Sequence, residues 1–368
     1  MKVAVIFGTR PEAIKMAPVV SALKAAAGVE TAVWSTGQHR QMLDQVLDLF
    51  HIKADRDLQV MAPDQTLNGL FSRVVSRLEE VFAEERPDRV LVHGDTTTAA
   101  AAATAAFHRG IPIGHVEAGL RSGRMDQPWP EEFNRRLVDL VADHLYAPTT
   151  AARENLLGEN LGAKHIVVTG NTVVDALLHV KGRIDREPEL QATLSARFPQ
   201  IDPSKRLVLV TGHRRENFGD GFLSICKALL EISQDPDVQV LYPVHLNPNV
   251  QRPVMELLSG RANISLIEPV DYLAFVYLMG RSTVILTDSG GVQEEAPSLG
   301  KPVLVMRDVT ERPEAVAAGV VRLVGARAEN IVRSVRETLE GPGRTEIVNP
   351  YGDGEAAVRI VREIVSVS

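Results

Sequence analysis

The segment of this sequence best suited to binding a ligand is a glycine-rich turn that leads into an acidic stretch. It spans Thr287–Glu295, reads TDSGGVQEE, and follows an apolar run typical of a strand. Glycines let the backbone approach a ligand closely, and the exposed N–H groups of a helix start attract phosphate. Glu295 lies one helical turn beyond Gly291, within reach of sugar hydroxyl groups. The pattern predicts a ligand that carries both an anion and a polyol.

A histidine and two arginines follow another apolar run in the second half of the chain. They are His213, Arg214 and Arg215, directly after Gly212. Imidazole transfers protons near neutral pH, and guanidinium groups bind phosphate. The neighbouring charges favour phosphate recognition and proton transfer over a structural role for this histidine.

Charged side chains also follow apolar runs in the first half of the chain. Gly8–Lys15 reads GTRPEAIK, and its Arg10 and Lys15 are placed to reach an anion, or else are solvated charges at a strand-to-helix turn. Pro11 is well placed to begin a helix. The segment matches neither G-x-G-x-x-G nor the P-loop, so it indicates neither a dinucleotide nor ATP.

Three carboxylates in the same half are candidates for acid–base chemistry. Asp95 follows Gly94, and Glu117 lies in the segment HVEAGLR. A structural interpretation stays open for Asp95, which could cap a helix. For Glu131 taken alone the structural interpretation is favoured, because the helix dipole stabilises acids at a helix start.

The elements that must position these side chains are strands and helices in alternation. Short runs that are apolar on both faces are typical of parallel strands covered by helices, and ligands bind beyond the carboxyl ends of such strands. Gln38–Phe50 has the apolar spacing of an amphipathic helix. We predict two doubly wound sheets. The predicted strands are Val3–Phe7, Thr31–Ser35, Arg89–His93, Ile111–Val116, His144–Ala147 and His165–Val168 in the first, and Arg206–Thr211, Val238–Tyr242, Asn263–Ile267, Thr283–Thr287 and Pro302–Met306 in the second.

The length of 368 residues predicts two domains. Residues 183–204 are rich in charge and proline, as suits an exposed connection. We therefore predict an N-terminal domain over residues 1–184, which holds the catalytic carboxylates, and a C-terminal domain over 185–352. The apolar spacing after Gly354 predicts a final helix within 353–368 that packs back against the N-terminal domain.

Composition limits the classes of partner. The formal net charge is -7, which provides no overall positive field for nucleic acid or an anionic membrane. The single cysteine, Cys226, lies in an apolar helical pattern and is expected to be a buried thiol. The apolar run Val3–Phe7 is too short for a signal peptide or a membrane span, so we expect a cytoplasmic protein.

Together and in this order, the motifs resemble those of the non-hydrolysing bacterial UDP-N-acetylglucosamine 2-epimerases, and the resemblance covers essentially the whole chain. The family has the GT-B fold, which implies two Rossmann-like domains facing each other across a cleft, with the C-terminal helix packed back on the body. The segments that carry the resemblance are GTRPEAIK from Gly8, HGDT from His93, HVEAGLR from His115, PEE-NR from Pro130, GHRRE from Gly212, PVH from Pro243 and TDSGG-QEE from Thr287.

The resemblance implies reversible inversion at C2 between UDP-N-acetylglucosamine and UDP-N-acetylmannosamine. UDP is eliminated to give 2-acetamidoglucal and then adds back, with no cofactor and no metal. The implied catalytic residues are Asp95, Glu117, Glu131 and His213. Because several acids crowd together, we expect mutual repulsion to raise the pKa of at least one of them.

The resemblance also implies binding sites and an assembly. Members of the family form homodimers, and bacterial members bind a second UDP-N-acetylglucosamine as an allosteric activator. The residues that match the activator site are Gln38, Gln41 and Gln65. The residues that match the UDP site are Arg10, Lys15, Phe275, Ser289, Gly290, Gly291, Glu295 and Arg312.

Three other functions fit parts of the pattern. A GT-B glycosyltransferase would have a similar UDP site but require an acceptor. A hydrolysing epimerase would release free N-acetylmannosamine, although such chains are often fused to a kinase domain for which this length leaves no room. A UDP-sugar sensor would bind without turnover and would not need the set Asp95, Glu117, Glu131 and His213.

Overall fold

The computed structural model describes residues 1–37, 40–62, 64–159, 161, 165–341 and 348–366, without the side chains of residues 40–42. The chain divides into two compact units. Unit 1 comprises Met1–Ala176 with Tyr351–Ser368, and unit 2 comprises Leu177–Pro350. In the described part of the chain, no helix has the length and apolarity needed to cross a membrane.

Unit 1 is built on a seven-stranded parallel sheet with the order β3-β2-β1-β4-β5-β6-β7. Its central strands are apolar on both faces and fully buried, as expected for a parallel sheet covered by helices. The strands are β1 (Lys2–Phe7), β2 (Glu30–Ser35), β3 (Arg56–Asp57), β4 (Arg89–His93), β5 (Ile113–Val116), β6 (His144–Ala147) and β7 (Ile166–Val168).

The helices of unit 1 follow these strands and cover the sheet. The alanine-rich helix α4 is almost completely buried and packs against α3 and α5. The helices are α1 (Arg10–Ala25), α2 (Arg40–Leu49), α3 (Leu67–Glu84), α4 (Thr97–His108), α5 (Glu131–Val141), α6 (Thr150–Gly158), α7 (Thr172–Arg186), in which the division between the units falls, and the C-terminal α15 (Ala356–Ser366).

Unit 2 repeats this arrangement with a six-stranded parallel sheet in the order β10-β9-β8-β11-β12-β13. Its strands are β8 (Arg206–Thr211), β9 (Val238–Pro243), β10 (Ile264–Ile267), β11 (Val284–Thr287), β12 (Val303–Val305) and β13 (Val321–Leu323). Its helices are α8 (Pro188–Arg197), α9 (Asp220–Ile232), α10 (Pro248–Leu258), α11 (Tyr272–Arg281), α12 (Gly290–Glu295), α13 (Pro313–Ala317) and α14 (Ala328–Glu340), with 3₁₀ turns at Arg215–Asn217 and Ala296–Leu299.

Residues 183–204 are mostly exposed, as expected for a connection, but more than half of the segment is helical. Helix α7 continues to Arg186, and α8 begins at Pro188 and runs to Arg197. Proline fits the first turn of a helix because its missing N–H would have no partner there. Pro188 therefore begins a helix within the segment whose charge and proline content suggested an exposed connection.

Candidate active site

The centre of the charged cluster in unit 1 is Glu117, the residue that directly follows β5. Its backbone is left-handed, with φ of 69°, and its side chain is buried. Oε1 lies 2.5 Å from Lys15 Nζ and accepts a hydrogen bond of 2.9 Å from Asn171 Nδ2. Oε2 lies 3.2 Å from His93 Nε2. Side chains from four separate segments thus meet at one carboxylate, and the predicted residues Lys15 and Glu117 are brought together.

The pKa of Glu117 is held well below its ordinary value. Burial opposes ionisation of the carboxyl, but the charge of Lys15, helped by His93, outweighs it. Glu117 is therefore not an acid whose pKa is raised by repulsion, and the expected rise at one of the acids stays a prediction. The sequence shows the acids of the cluster but does not show that a lysine 102 residues away lies against this one.

A buried glutamate fixes the backbone from which Arg10 and Lys15 project. Glu12 and Thr9 form a capping box at the start of α1, with Pro11 in its first turn, as predicted. Glu12 Oε2 accepts a hydrogen bond of 2.8 Å from Thr9 N, and Oε1 accepts one of 2.6 Å from Thr96 Oγ1 in the next strand end. Glu12 therefore ties together two strand-end loops.

Asp95 is not the cap of the helix that follows it. Thr96 takes that position in α4, and its Oγ1 accepts a hydrogen bond of 3.0 Å from Ala99 N. The Asp95 carboxylate instead forms an ion pair with Arg135 of α5. Asn134 Nδ2 donates to the Asp95 carbonyl at 2.9 Å, so α5 holds this loop by two side chains.

Helix α5 begins with two glutamates whose surroundings differ. Glu132 is buried and accepts hydrogen bonds from Ser122 N, Arg135 Nη1 and Arg136 Nε, each at 3.0 Å. Burial opposes its ionisation, but these donors lower its pKa. Glu131 also lies in the first turn, yet its Oε2 is buried with no hydrogen-bond partner among the described residues. That oxygen is available to a proton or a ligand, whereas both carboxylate oxygens of Glu132 already accept hydrogen bonds.

In unit 2, a buried aspartate organises the loops after β8 and β11. Asp288 accepts hydrogen bonds from the backbone N–H groups of His213, at 3.0 Å, and Arg214, at 2.9 Å. His213 Nδ1 lies 3.4 Å from Asp288 Oδ1, and the His213 ring stacks on His245 with centroids 5.6 Å apart. Burial lowers the pKa of His213, and the charge of Arg214 adds to this effect while Asp288 opposes it. A neutral imidazole is therefore favoured near neutral pH.

The glycine-rich turn leads into helix α12, as its sequence predicts. A Cβ atom built on Gly290 would lie 3.6 Å from Arg214 Nη2 and 3.6 Å from the Arg312 guanidinium, so two cations flank the helix start. Arg312 Nε also donates to Glu294 Oε1 at 2.5 Å. The hydroxyl of Ser289, the N-cap residue, makes no capping hydrogen bond. This arrangement suits an anion, because cations and helix N–H groups point to one place.

Glu295 lies at the end of α12 and is buried. Its Oε1 accepts a hydrogen bond of 2.6 Å from the hydroxyl of Tyr272, the first residue of α11. Phe275 lies one turn further along α11 and is partly exposed, so it is not the core residue that its apolar helix could have made it. Both side chains predicted to bind the nucleoside therefore lie on or against the same helix.

Of the other predicted residues, the structure describes the side chains of only some. Arg10 is partly exposed, and the described residues offer its guanidinium no hydrogen bond or ion pair. Gln38 lies outside the described residues, and so does the side chain of Gln41. Gln65 is partly buried, and its Oε1 accepts hydrogen bonds from Arg73 and, at 3.3 Å, from Ala62 N.

Several residues in these clusters have no predicted role from the sequence, among them His93, Asn171 and Arg135 in unit 1 and Asp288 in unit 2. Asn171 follows β7 directly after Thr169 and Gly170, so the strand-end argument that found Asp95 and Glu117 could also have found it. Arg135 lies inside a helix, and no local pattern indicates that it reaches Asp95.

Comparison with known proteins places this two-sheet α/β chain in a family. Residues 21–365 match the family model described as UDP-N-acetylglucosamine 2-epimerase. The UDP-N-acetylglucosamine 2-epimerase of Escherichia coli K12 is 53% identical over 369 aligned positions, which cover 99% of this chain and 98% of that protein. The crystal structure of the Neisseria meningitidis UDP-GlcNAc 2-epimerase bound to UDP-GlcNAc matches with a TM-score of 0.93 and 49% identity, covering 100% of both chains.

A more distant structure also matches over its full length. It is the Methanocaldococcus jannaschii UDP-GlcNAc 2-epimerase in complex with UDP-GlcNAc and UDP, with a TM-score of 0.83, 34% identity and 100% coverage of both chains. The chain belongs to the UDP-N-acetylglucosamine 2-epimerase family. The predicted family and the GT-B fold class, with two parallel-sheet α/β units, are confirmed.

Proposed function

We propose that this protein interconverts UDP-N-acetylglucosamine and UDP-N-acetylmannosamine without net hydrolysis. The observation that carries the proposal is the set of carboxylates around β4, β5 and α5 in unit 1. Glu117 is held ionised, whereas Glu131 has a buried oxygen to which the described residues offer no partner. Acid–base chemistry needs such a difference, since one group must accept a proton while another can supply one. Membership of the epimerase family supports the same substrate.

In the proposed reaction, a carboxylate removes the C2 proton while the bond between C1 and the diphosphate oxygen breaks. The electrons of the C2–H bond form the C1=C2 double bond of 2-acetamidoglucal, and UDP leaves with the C1–O pair. A carboxylic acid then protonates C2 on the opposite face as a UDP oxygen attacks C1. Asp95, Glu117 and Glu131 are the proposed proton-transfer residues. The sum is an isomerisation that consumes no oxidant, reductant or water.

Unit 2 supplies most of the proposed UDP site, although the predicted residues Arg10 and Lys15 lie in unit 1. Arg312 and the start of α12 would bind the diphosphate, Glu295 the ribose hydroxyls, and Phe275 the uracil ring. The two arginines beside Gly290 support this assignment, because guanidinium groups stabilise the charge that develops as UDP leaves. A largely neutral His213 next to them can donate a hydrogen bond to the leaving diphosphate. The remaining predicted UDP residues are Arg10, Lys15, Ser289, Gly290 and Gly291.

Deuterium exchange tests the proposal. The purified protein is incubated in D2O with UDP-N-acetylglucosamine alone, and the sugar is followed by NMR. We expect UDP-N-acetylmannosamine that carries deuterium at C2, with no acceptor and no added cofactor. Free N-acetylmannosamine would indicate a hydrolysing enzyme, transfer only on addition of an acceptor would indicate a glycosyltransferase, and binding without exchange would indicate a sensor. Each of these three results would overturn the proposal.

Assembly, regulation and location are further parts of the proposal. Exposed Phe133 and Leu140 on α5 support a homodimer, since they share one face of that helix. Activation by a second UDP-N-acetylglucosamine through Gln38, Gln41 and Gln65 rests on the family resemblance. A cytoplasmic location rests on the family to which the chain belongs.

A further inference from the structure

Two histidines and a glutamate meet at one end of the unit 1 sheet. His144 is the first residue of β6, His165 directly precedes β7, and Glu363 lies on α15. One ligand atom from each lies within 4.8 Å of the other two, and His165 Nδ1 is 3.9 Å from Glu363 Oε1. The strands are parallel, so this is the end opposite to the one that carries Asp95 and Glu117.

His144 has a ring nitrogen that is free to bind a metal ion. Its side chain is buried, and in the described part of the chain its Nδ1 has no hydrogen-bond partner. A buried polar atom without a partner is costly and needs an explanation. A metal ion bound at this nitrogen would provide the missing partner.

The charges around the three residues are balanced. Arg89 is buried close to His144 and opposes a second cation. The carboxylates of Asp143, which precedes His144, and of Glu363 instead favour a cation at this place. A ligand set of two imidazoles and one carboxylate suits zinc, cobalt or nickel better than calcium or magnesium, which prefer oxygen ligands alone.

We propose that His144, His165 and Glu363 bind one divalent transition metal ion of the zinc type, which ties the C-terminal helix α15 to the starts of β6 and β7. The two imidazole rings stack with centroids 4.5 Å apart and planes 15° from parallel, so their lone pairs do not yet converge. Metal–ligand bonds of about 2.0–2.1 Å require the ligand atoms to approach to roughly 3.3 Å. His165 is 57% exposed and Glu363 is partly exposed, so both side chains have room to turn inward.

Cobalt titration of the untagged full-length protein tests the site. Co2+ bound by these ligands gives visible d–d absorption, which we expect to saturate at one equivalent and to disappear when Zn2+ is added. Zn2+ should also raise the unfolding temperature detected by tryptophan fluorescence, because both tryptophans, Trp34 and Trp129, lie in unit 1 with the site. Excess EDTA should reverse the shift.

Matched variants separate this site from other histidines. His165→Ala removes an exposed ligand and should fold normally while it weakens Co2+ binding by roughly tenfold or more, about 1.4 kcal/mol. Glu363→Gln should weaken binding as well. His108→Ala, which removes an exposed histidine at the end of α4, should bind as the parent does. Equal binding by His165→Ala and the parent, or an absence of d–d absorption in the parent, would overturn the proposal.

Discussion

Lys15 and Glu117 lie 102 positions apart in the chain and meet as a buried ion pair. A carboxylate in such a position is costly unless a cation and hydrogen bonds compensate for lost solvation. Lys15 and Asn171 provide both, and the depressed pKa of Glu117 is the result. The ionised form of Glu117 is therefore favoured down to a lower pH than for an ordinary glutamate.

Replacing Lys15 with methionine should raise the pKa of Glu117, because the positive charge of Lys15 no longer offsets the desolvation of the buried carboxyl. We expect the acid limb of the kcat–pH profile to move to higher pH, so that kcat falls further at pH 5 than at pH 8. Measuring kcat at saturating substrate excludes weaker UDP binding as the cause. Lys24→Met, at an exposed position of the same helix, should leave the profile unchanged. An unmoved acid limb in Lys15→Met would contradict the assignment.

We expect the same substitution to have different effects at the two glutamates that begin α5. Glu131→Gln should lower kcat by about 10²–10⁴-fold, the usual contribution of a proton-transfer group, with little change in stability. Glu132→Gln should instead lower the free energy of unfolding by about 1–3 kcal/mol, because it weakens buried hydrogen bonds to Ser122, Arg135 and Arg136. Steady-state kinetics and urea unfolding of both variants test these two expectations. Loss of stability without loss of activity in Glu131→Gln would remove it from the proposed catalytic set.

Sequence alone finds side chains whose position follows from a local pattern. Lys15, Asp95 and Glu117 were predicted because each lies near the carboxyl end of a strand. The partners of these side chains, such as Asn171 and Arg135, depend on which segments the fold brings together. The direction of the Glu117 pKa shift has the same origin, since it is set by a lysine from a different strand end.

At the scale of elements, long apolar runs predict strands well and short edge strands poorly. All strands predicted from such runs are present, with ends that differ by no more than two residues. The two missed strands, β3 and β13, are edge strands of two and three residues with exposed positions. A strand paired on one side needs no apolar run, so its sequence carries little signal. The domain limits at residues 184 and 352 stay predictions.

The start of α12 allows a test of the proposed UDP site without disturbing the fold. Gly290→Ala would add a methyl group 3.6 Å from Arg214 and Arg312, an ordinary contact distance, at a backbone position without positive φ. The methyl group should obstruct a diphosphate and weaken UDP binding, measured by calorimetry, by roughly tenfold or more. Gly221→Ala is the matched control, because its methyl group would meet Asn217 at 3.5 Å in the first turn of α9. Unchanged UDP affinity in Gly290→Ala would place the diphosphate elsewhere.

Docking of α15 makes the stability of unit 1 depend on pH. Asp175 Oδ1 accepts a hydrogen bond of 2.8 Å from Ala357 N, whereas Oδ2 is buried and has no hydrogen-bond partner among the described residues. Burial raises the pKa of Asp175 from 3.8 to about 6. The folded state therefore binds a proton more tightly than the unfolded state. This contribution is fully present below pH 4 and is lost as the pH rises to about 6.

Asp175→Asn should remove that dependence. Two pKa units correspond to on the order of 3 kcal/mol, so the variant should be more stable than the parent by up to that amount at pH 8 and similar to it near pH 4. Urea unfolding followed by tryptophan fluorescence reports unit 1, where Trp34 and Trp129 lie. Asp44→Asn, at an exposed position, should follow the parent. A variant that is less stable than the parent at pH 8 would show that the carboxylate form is favoured there.

The net charge of the whole molecule and the local charge of the proposed UDP site have opposite signs. The formal net charge of -7 repels an anionic nucleotide sugar at long range, whereas Arg214 and Arg312 of the proposed UDP site would attract it locally. Salt shortens the range of the repulsion more than it weakens contacts inside a partly buried site. Recognition of UDP therefore depends on the local cluster and not on the field of the protein as a whole.

The proposed homodimer can be tested through the exposed apolar side chains of α4 and α5. Phe107 is 57% exposed at the end of α4, and Leu140 is 62% exposed on α5, which packs beside it. Burying such side chains against a second copy would stabilise a dimer by roughly 1.5–3 kcal/mol each. Light scattering should give twice the chain mass for the parent and the single-chain mass for Phe107→Glu combined with Leu140→Glu. Val309→Glu places the same charge at an equally exposed apolar position in unit 2 and should remain dimeric. A monomeric parent would refute the homodimer, and dissociation of Val309→Glu would show that the interface is not confined to α4 and α5.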